Sequence, residues 1–323
     1  MLRLIATRLL SALPNLVGVV VISFILTRAL PGDPAAYFAG AAATQEAVAQ
    51  VRTQLGLDKP LLEQFFLYIG ALARGDMGLS LTTGQPVAQE LIARLPASLE
   101  LVFLALLLAC AIALPLGVLA ATRPGSWIDQ LCRIVATAGV SLPTFFTGLL
   151  LAYVFYFLLG WAPSPMGRLD PMFSPPATVT GLYLIDAALA GDAAMWWASF
   201  RQLILPVVTM AIFVLAPIAR MTRASMLAVL SADFIRTARA SGLSSTTVLV
   251  TYALRNALLP VVTTLGMVFG WPGVGSYAID ALTASDYAPV QGFVLAMGVV
   301  FVLLNLLVDV LYGLIDPRVT VAA

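Results

Sequence analysis

Few side chains in this sequence could carry out chemistry. Its 323 residues include no histidine, and its single lysine is Lys59. A nucleotide-binding P-loop needs a glycine-rich turn followed by Lys and then Ser or Thr, whereas Lys59 is followed by Pro60. The sequence therefore has no P-loop, and any ATP hydrolysis that serves this protein must take place in a separate chain.

Other reactive groups are also sparse. The two cysteines, Cys110 and Cys132, lie in or beside apolar segments and lack metal-ligand spacing, which indicates neither a zinc site nor a disulfide framework. The apolar segments contain no cluster of acids and no nucleophile–base pair from which a membrane enzyme could build a site. We expect no catalytic residue, no metal site and no cofactor in this chain.

Composition places the chain in a membrane. Hydrophobic residues make up 61% of it and charged residues 10%, with a mean hydropathy of +0.98, whereas a soluble domain carries about 25% charged residues. The sequence predicts an all-α polytopic membrane protein embedded in a lipid bilayer. A net charge of +1 gives no indication of a nucleic-acid partner.

Six apolar segments are predicted to be transmembrane helices, because about 20 apolar residues cross the hydrocarbon core. A cleaved signal peptide competes for the first, but its apolar core would be shorter and LTRALPGDP is not a small-x-small cleavage site. We divide the chain into 1–30, 31–96 and 97–323, with a polar loop at 222–255. The six segments are 9–30, 97–121, 131–161, 202–221, 256–270 and 290–314.

Residues 31–96 have a more soluble character and predict a helical insertion after the first span. Thr44 is placed to cap an amphipathic helix over 44–55, and a second helix is expected over 61–72. Glycines at 75–78 and 83–86 predict turns. A third short helix is expected over 87–95, closed by Pro96.

The third apolar segment is long for one span, which predicts tilt or a break near Pro143. Hydroxyls flank this proline, and Asn305 is a polar residue in the sixth segment. These side chains are candidates for the translocation pathway. The alternative is that the hydroxyls satisfy backbone groups at the proline or pack against a neighbouring helix. The flanking hydroxyl residues are Ser141, Thr144 and Thr147.

The longest basic and polar run in the second half of the chain lies at 233–260. Residues 233–240 predict a short helix, and Gly242 stands where a helix ends in a left-handed residue. Ser244 and Ser245 are candidate N-caps of a second helix, with Tyr252 on its apolar face. A helix, a glycine turn and a second helix form a compact element with two exposed arginines, which suits docking against another protein.

Charge distribution predicts the orientation. With the N-terminus in the cytoplasm, the inside segments hold ten basic and three acidic residues, and the outside segments hold seven basic and twelve acidic residues. This bias favours N-in and C-in, with 31–96 outside and 233–260 inside. The inside basic residues are Arg3, Arg8, Arg123, Arg133, Arg220, Arg223, Arg236, Arg239, Arg255 and Arg318.

Several motifs resemble one protein family. RTARASG at 236–242 and NALLP at 256–260 resemble the cytoplasmic coupling motif of ABC importer permeases. LPGDP (30–34), LGLDKP (55–60), GDMGLS (75–80) and TGQPV (83–87) resemble the segment after the first span in the dipeptide/oligopeptide/nickel branch, first permease subunit. The alternative for the loop is a basic cytoplasmic loop that merely obeys the positive-inside rule.

The resemblance implies a function. In the family, the short helix inserts into a separate ATPase that binds ATP and Mg. The complete transporter lies in the bacterial inner membrane. It contains two such ATPases and a second homologous permease, and it works with an extracytoplasmic binding protein. The coupling interface would comprise Phe234, Ile235, Arg236, Ala238, Arg239, Ala240 and Gly242, and the loop facing the binding protein would include Trp271, Gly273, Gly275 and Tyr277.

The resemblance also implies import of peptides, with glutathione and nickel chelates as further substrates of the branch. The absence of histidine favours a peptide over a bare metal ion. The alternative class is a secondary transporter or channel for small solutes. Such proteins usually place ionisable residues at membrane depth, and the predicted spans contain almost none.

One departure from the family lies at Gly270–Trp271, where family members carry more residues. Residues 256–270 would form a helix of about 22 Å, short of the ~30 Å hydrocarbon core. The span could begin nearer Thr251, it could be a half-span, or residues could be absent from this sequence. We favour the last, because the sequence on both sides of the junction matches the family.

Replacement of Gly242 tests the predicted coupling role. Gly242→Asp should leave the protein inserted in the membrane but uncouple ATP hydrolysis from transport, because the turn must fit closely against the ATPase. Membrane fractionation, ATPase and transport assays measure the three properties. Transport at the wild-type rate by the variant would contradict the prediction.

Overall fold

In a computed structural model, residues 2–29, 33–40, 43–165, 167–170, 172–268 and 275–315 are described. Helices dominate these residues, which include no β-strand; one isolated bridge joins Leu79 to Pro86. This confirms the predicted all-helical class. The α-helices are α1 (Leu2–Ala29), α2 (Pro34–Ala39), α3 (Gln45–Gln54), α4 (Leu61–Leu72), α5 (Val87–Thr122), α6 (Trp127–Ser141), α7 (Thr144–Leu151), α8 (Tyr183–Leu189), α9 (Ala193–Leu230), α10 (Asp233–Ala240), α11 (Ser245–Thr247), α12 (Arg255–Val268), α13 (Gly275–Thr283) and α14 (Tyr287–Ile315).

Among the residues that the structure describes, two π-helical segments continue α-helices. One is Ala152–Leu158, after α7, and the other is Val248–Leu254, between α11 and α12. A π-helix adds one residue to each hydrogen-bonded turn, and such segments often occur at functional sites. The second of them lies in the element that carries the candidate coupling motif.

In the described part of the chain, five helices are long and apolar enough to cross a membrane. They lie within α1, α5, α9, the run from α11 to α12, and α14. A bent pair, Trp127–Gly139 with Thr144–Leu158, gives a sixth if it counts as one span; its bend is 102°. Leu142 is extended, with φ −99° and ψ 131°, as expected for a residue before proline. Of the two predicted alternatives, tilt or a break, this segment therefore has a break, which lies at Pro143.

The prediction of a separate helix closed by Pro96 is wrong, because α5 runs without interruption through Pro96 and Pro115. A proline inside a helix removes one backbone donor, and membrane helices tolerate this when the freed carbonyl finds another partner. Helix α9 likewise contains Pro206 and Pro217 and extends beyond the predicted 202–221 at both ends.

The helical insertion agrees with the sequence at several points. Thr44 caps α3 by accepting a hydrogen bond from the Ala47 backbone N–H, at 3.3 Å. Helix α4 has the predicted bounds. Gly75, Gly78 and Gly84 have φ of 79°, 82° and 69°, so the predicted turns use the left-handed conformation that glycine adopts at little cost.

The chain forms two compact units, one of residues 1–5, 96–271 and 304–323 and the other of residues 6–95 and 272–303. The core of the first unit centres on α9, which packs with α6, α7 and α12. Ala105, Ala109 and Ala113 share one stripe of α5 and are at most 1% exposed. Small residues at this spacing allow close approach of membrane helices.

The second unit has its own core. Val87 and Leu91 at the start of α5 are buried together with Tyr277 of α13. Helix α4 packs against the end of α1 through aromatic rings; the Phe24 and Phe65 ring centroids are 5.1 Å apart. Gln291 of α14 donates a hydrogen bond to the Thr27 hydroxyl at 2.8 Å.

Two glycines permit the closest helix contacts in the first unit. A Cβ at Gly117 would lie 2.7 Å from Thr222 Cβ, and one at Gly139 would lie 2.8 Å from the Ile212 carbonyl oxygen. At Gly18 of α1, a Cβ would meet no atom within 4 Å. All three glycines are helical, so the same substitution has different consequences at each.

We expect Gly117→Ala and Gly139→Ala each to destabilise the protein by about 1–3 kcal/mol through overpacking. Gly18→Ala is the matched control and should be neutral or stabilise by about 0.5–1 kcal/mol, because alanine favours the helix. Thermal unfolding of the purified proteins in detergent measures the effects. If all three alanine variants were as stable as the wild type, the close packing at Gly117 and Gly139 would be contradicted.

Candidate functional site

Helix α10 has the predicted bounds and favourable charges at both ends. Asp233 lies in its first turn and Arg239 in its last, which complements the helix dipole. Arg236 donates to the Asp233 carboxylate at 3.2 Å. Both side chains of this pair are largely exposed, so the ion pair contributes little to stability and leaves the charges accessible.

Gly242 ends this element in the left-handed conformation, with φ of 74°. The Gly242 backbone N–H donates to the Arg239 carbonyl at 3.0 Å, which satisfies one of the carbonyls at the helix end. A Cβ at Gly242 would meet no atom within 4 Å. Glycine is therefore required here by backbone conformation, since the described residues leave room for a side chain.

The second helix begins where the sequence predicts. Ser244 Oγ accepts a hydrogen bond from the Thr247 backbone N–H at 3.2 Å. Helix α11, the π-helical segment and α12 then continue one another from Ser245 to Val268, about 36 Å at helical rise. The fifth span thus starts earlier than 256, and its length does not require missing residues.

The π-helical segment changes which side chains are buried. Val248 and Ala253 are buried at 2% and 0% exposure and stand five residues apart, the spacing of the hydrogen bonds in a π-helix. Tyr252 is 38% exposed and therefore lies outside this buried face.

The predicted coupling residues divide between two faces of α10. Ile235 is fully buried and Ala238 is 6% exposed, in one cluster with Met226 of α9, Val248 and Ala253. Ile235 and Ala238 therefore face the chain's own core, and we remove them from the predicted partner-contacting set. Their packing fixes α10 to α9 and the second helix.

The opposite face of α10 is exposed and basic. Phe234 is 45% exposed, and Arg236, Arg239 and Ala240 are exposed as well. An exposed phenylalanine and two exposed arginines on one short helix are typical of protein interfaces, whose cores are enriched in aromatic residues and arginine. Phe234, Arg236, Arg239, Ala240 and Gly242 remain the candidate contact residues.

The pathway candidates at the proline break make local hydrogen bonds. Ser141 Oγ donates to the Thr137 carbonyl at 2.7 Å, and Thr147 Oγ1 donates to the Pro143 carbonyl at 3.4 Å. These bonds agree with the alternative that the hydroxyls satisfy backbone groups. Thr144 is half-buried at the start of α7, and Asn305 is exposed on α14.

The loop predicted to face a binding protein is described only in part. Trp271 and Gly273 lie outside the described residues, and Gly275 is the first residue of α13. Tyr277 is 4% exposed, so the prediction that it faces a partner is corrected.

Tyr277 serves the core of the second unit. Its hydroxyl donates to the Glu90 carboxylate at 2.7 Å, and the Arg94 guanidinium lies 4.4 Å from its ring centroid. Burial, together with the Glu90 contact, raises the pKa of Tyr277 well above its ordinary value. The hydroxyl therefore stays protonated as a donor.

Sequence analysis did not predict that several acids among the described residues would be buried. Asp129 is 1% exposed and forms an ion pair with Arg223 of α9, whose Nη2 lies 3.1 Å from Asp129 Oδ2. The same carboxylate accepts the Gly125 backbone N–H at 2.9 Å. In the sequence, the only signal for Asp129 is its position three residues after Ser126, the N-cap of α6. No signal in the sequence indicates Arg223 as its partner.

Glu100 of α5 is 6% exposed and anchors the loop before α8. Its carboxylate accepts the Leu184 backbone N–H at 2.8 Å and an N–H of Arg168 at 2.9 Å. A carboxylate at a helix start is favoured by the helix dipole. Glu100 thus fixes the beginning of α8 to α5.

Asp186 stabilises the same loop through hydrogen bonds to residues of the loop. Its carboxylate accepts hydrogen bonds from the backbone and hydroxyl of Thr180, at 2.8 and 2.7 Å, and from the Gly181 backbone at 2.9 Å. Burial alone would raise the pKa of Asp186, but these hydrogen bonds outweigh it and the pKa lies below its ordinary value. Asp186 is therefore ionised at neutral pH.

The fold defines a multi-pass membrane protein that carries an exposed basic helix. Comparison with protein families identifies it further. Residues 113–321 match the family described as binding-protein-dependent transport system inner membrane component, and residues 1–102 match the N-terminal part of such components. The chain belongs to this family.

Relatives support the resemblance to dipeptide-type ABC permeases. The chain is 45% identical to the probable D,D-dipeptide transport system permease protein of Escherichia coli, over 94% of this chain and 93% of the relative. It is 41% identical to the di/tripeptide permease protein of Pseudomonas aeruginosa and 37% identical to a glutathione permease protein of Escherichia coli, over 99% of each chain.

The alignment with the Pseudomonas aeruginosa protein covers 334 positions, more than the 323 residues of this chain. Some positions of that relative therefore have no counterpart here. The Gly270–Trp271 junction lies outside the described residues, and the absence of residues there stays a prediction.

The buried side of α10 leads to a prediction about Met226, which is fully buried. Met226→Ala should cost about 2 kcal/mol or more through the cavity it leaves. The amides of 233–243 should then exchange hydrogen roughly 30-fold faster, if this loss is expressed as local opening. Hydrogen-exchange mass spectrometry of the membrane-embedded protein measures the rate.

Met221, in the same helix, provides the matched control because it is 36% exposed. Met221→Ala should change stability by no more than about 0.5 kcal/mol and leave the exchange of 233–243 unchanged. If Met226→Ala also left that exchange unchanged, α10 would not depend on the buried cluster.

Proposed function

We propose that this chain is the transmembrane permease subunit of an ATP-driven importer of peptides in the bacterial inner membrane. It forms half of the translocation pathway together with a homologous second permease. Two separate ATP-binding subunits supply ATP hydrolysis with Mg, and an extracytoplasmic binding protein delivers the substrate. Family membership and the relatives' names support this assignment.

The observation that carries the proposal is the two-sided character of α10. One side contributes Ile235 and Ala238 to the chain's own core, and the other exposes Phe234 and two arginines. A helix that served only to connect two spans would not need a partly exposed aromatic residue between exposed charges. The exposed side is a suitable contact for an ATPase.

The buried side suggests how motion is transmitted. When the ATP-binding subunits close, they displace α10. Since Ile235 shares a close-packed cluster with Met226 of α9 and Val248 of the second helix, the displacement acts on both spans at once. Packed cores shift between discrete arrangements more readily than they deform continuously. The spans thus rock between inward-open and outward-open states.

This mechanism requires a defined topology. We propose six spans with both ends in the cytoplasm, in which the bent pair counts as one span. The charge bias then places α10 on the cytoplasmic side, where ATP is available. Residues 31–96 and the loop before α8 lie outside, within reach of a binding protein.

A peptide is the substrate that the comparisons favour. The relatives' names refer to D,D-dipeptides, di- and tripeptides, and glutathione, which is itself a peptide. We infer a di- or oligopeptide as the substrate class. The binding protein makes most of the selection among peptides.

Charge reversal on α10 tests the proposal. The double variant Arg236→Glu and Arg239→Glu should abolish binding of the ATP-binding subunits and ATP-dependent uptake, because it replaces two exposed positive charges at the contact by negative ones. The measurement is co-purification of the subunits, followed by uptake of a labelled dipeptide into proteoliposomes that contain the complete transporter.

Arg123→Glu is the matched control, because Arg123 is also exposed and lies in another loop predicted to be cytoplasmic. It should retain both assembly and uptake. Equal loss in both variants would indicate a general effect of charge. Uptake that proceeds without nucleotide or ATP-binding subunits would instead support the secondary transporter or channel.

A further inference from the structure

Helix α4 buries a polar side chain and exposes apolar ones, which is the reverse of a helix on the surface of a soluble protein. Its polar Gln64 is 9% exposed and faces α1, whereas Leu62, Phe66 and Ile69 are 69%, 63% and 39% exposed. The last three are separated by four and three residues and therefore form one stripe on the outer side of the helix. An apolar stripe of this kind requires an apolar environment.

Helix α1 lies next to α4 and is itself apolar. Its residues Leu10–Arg28 are long and apolar enough to cross a membrane, and Ile22 and Ile25 are both 57% exposed. Helix α4 packs on the end of this span through Phe24, whose ring is 5.9 Å from that of Tyr68. The two packed helices thus both carry exposed apolar side chains.

A groove of about 430 Å³ lies between the two helices. This volume falls within the range of pockets that hold small ligands. Its walls are apolar apart from one charged residue, Arg28, at the end of the span. The groove is lined by Val21, Phe24, Ile25, Arg28, Leu61 and Leu62, with Phe65 beside them.

Arg28 is held by neutral groups. Its Nε and Nη2 donate to Gln64 Oε1 at 3.3 Å, and its Nη1 donates to Thr27 Oγ1 at 3.4 Å. The guanidinium lies 4.4 Å from the ring centroid of Phe24 and 5.3 Å from that of Tyr287. Within the part of the chain that the structure describes, no carboxylate forms an ion pair with Arg28.

These neutral contacts orient the guanidinium without neutralising it. They use three of the five N–H donors of arginine, which leaves donors for an anion. The planar guanidinium presents its N–H donors as a fork that matches the oxygens of a phosphate, so arginine binds phosphate well. A fixed positive charge at the end of a span lies at the level of lipid headgroups.

We propose that the groove between α1 and α4 is a binding site for an anionic phospholipid. The phosphate contacts Arg28, and one acyl chain occupies the apolar groove. Helix α4 lies in the membrane interface with Leu62 and Phe66 in the acyl region, as interfacial helices do. The lipid thereby joins the helical insertion to the first span.

A lipid fits these observations better than a second permease subunit does. A phospholipid combines an anionic group with an apolar chain, which matches one unneutralised arginine at the rim of an apolar groove. Its source is present wherever α1 crosses the membrane. A protein partner would have to bring a carboxylate to the same depth, at a larger desolvation cost.

Lipid titration of the purified full-length chain in detergent, followed by native mass spectrometry, tests the proposal. The probes are phosphatidylglycerol and phosphatidylcholine of equal chain length. Arg28→Gln should weaken phosphatidylglycerol binding about 5-fold or more, since one basic residue near a membrane surface contributes that much. Arg28→Lys should retain most of the binding, which separates loss of charge from loss of folding.

Arg74→Gln is the matched control, since Arg74 is exposed just beyond α4, and it should leave binding unchanged. Leu62→Ser should weaken both lipids, because it changes only the groove wall. Binding of phosphatidylglycerol by Arg28→Gln with wild-type affinity would overturn the proposal, as would equal loss in Arg74→Gln.

A photo-crosslinking amino acid at Phe66 distinguishes the possible occupants. In the transporter within its membrane, adducts should form with lipid. Adducts with a second permease chain instead of lipid would overturn the proposal and identify this surface as a subunit interface. Neither result depends on ATP hydrolysis or on the identity of the transported substrate.

Discussion

The burial of Ile235 is the contact on which the rest of the proposed mechanism depends. This side chain is fully buried in the cluster that joins α10 to Met226 of α9 and Val248 of the second helix. Without it, α10 would be an exposed eight-residue helix, which is too short to be stable alone in water. With it, α10 keeps a fixed orientation and presents its basic side outward.

The features that could be predicted from the sequence are those set by residues close together in the chain. The bounds of α10 and α4, the caps at Thr44 and Ser244, and the left-handed Gly242 all follow from residue types within a few positions of one another. The break at Pro143 has the same origin. These features required no knowledge of distant contacts.

Distant contacts explain what could not be predicted. Whether a helix continues through Pro96 depends on its surroundings, and the burial of Tyr277 depends on Glu90, 187 positions away. The acid Asp129 has its ion-pair partner 94 positions away. Ile235 and Ala238 belonged to a recognised motif, but only the packed structure shows that they face inward while their neighbours face outward.

Photo-crosslinking from Thr237, an exposed residue of α10, tests most directly whether this helix contacts the ATPase. In the assembled transporter, we expect an adduct with an ATP-binding subunit from a crosslinker at Thr237 and none from one at Leu119 of α5, which is also exposed. If active transporter gave no such adduct from Thr237, the assignment of α10 as the coupling helix would be contradicted.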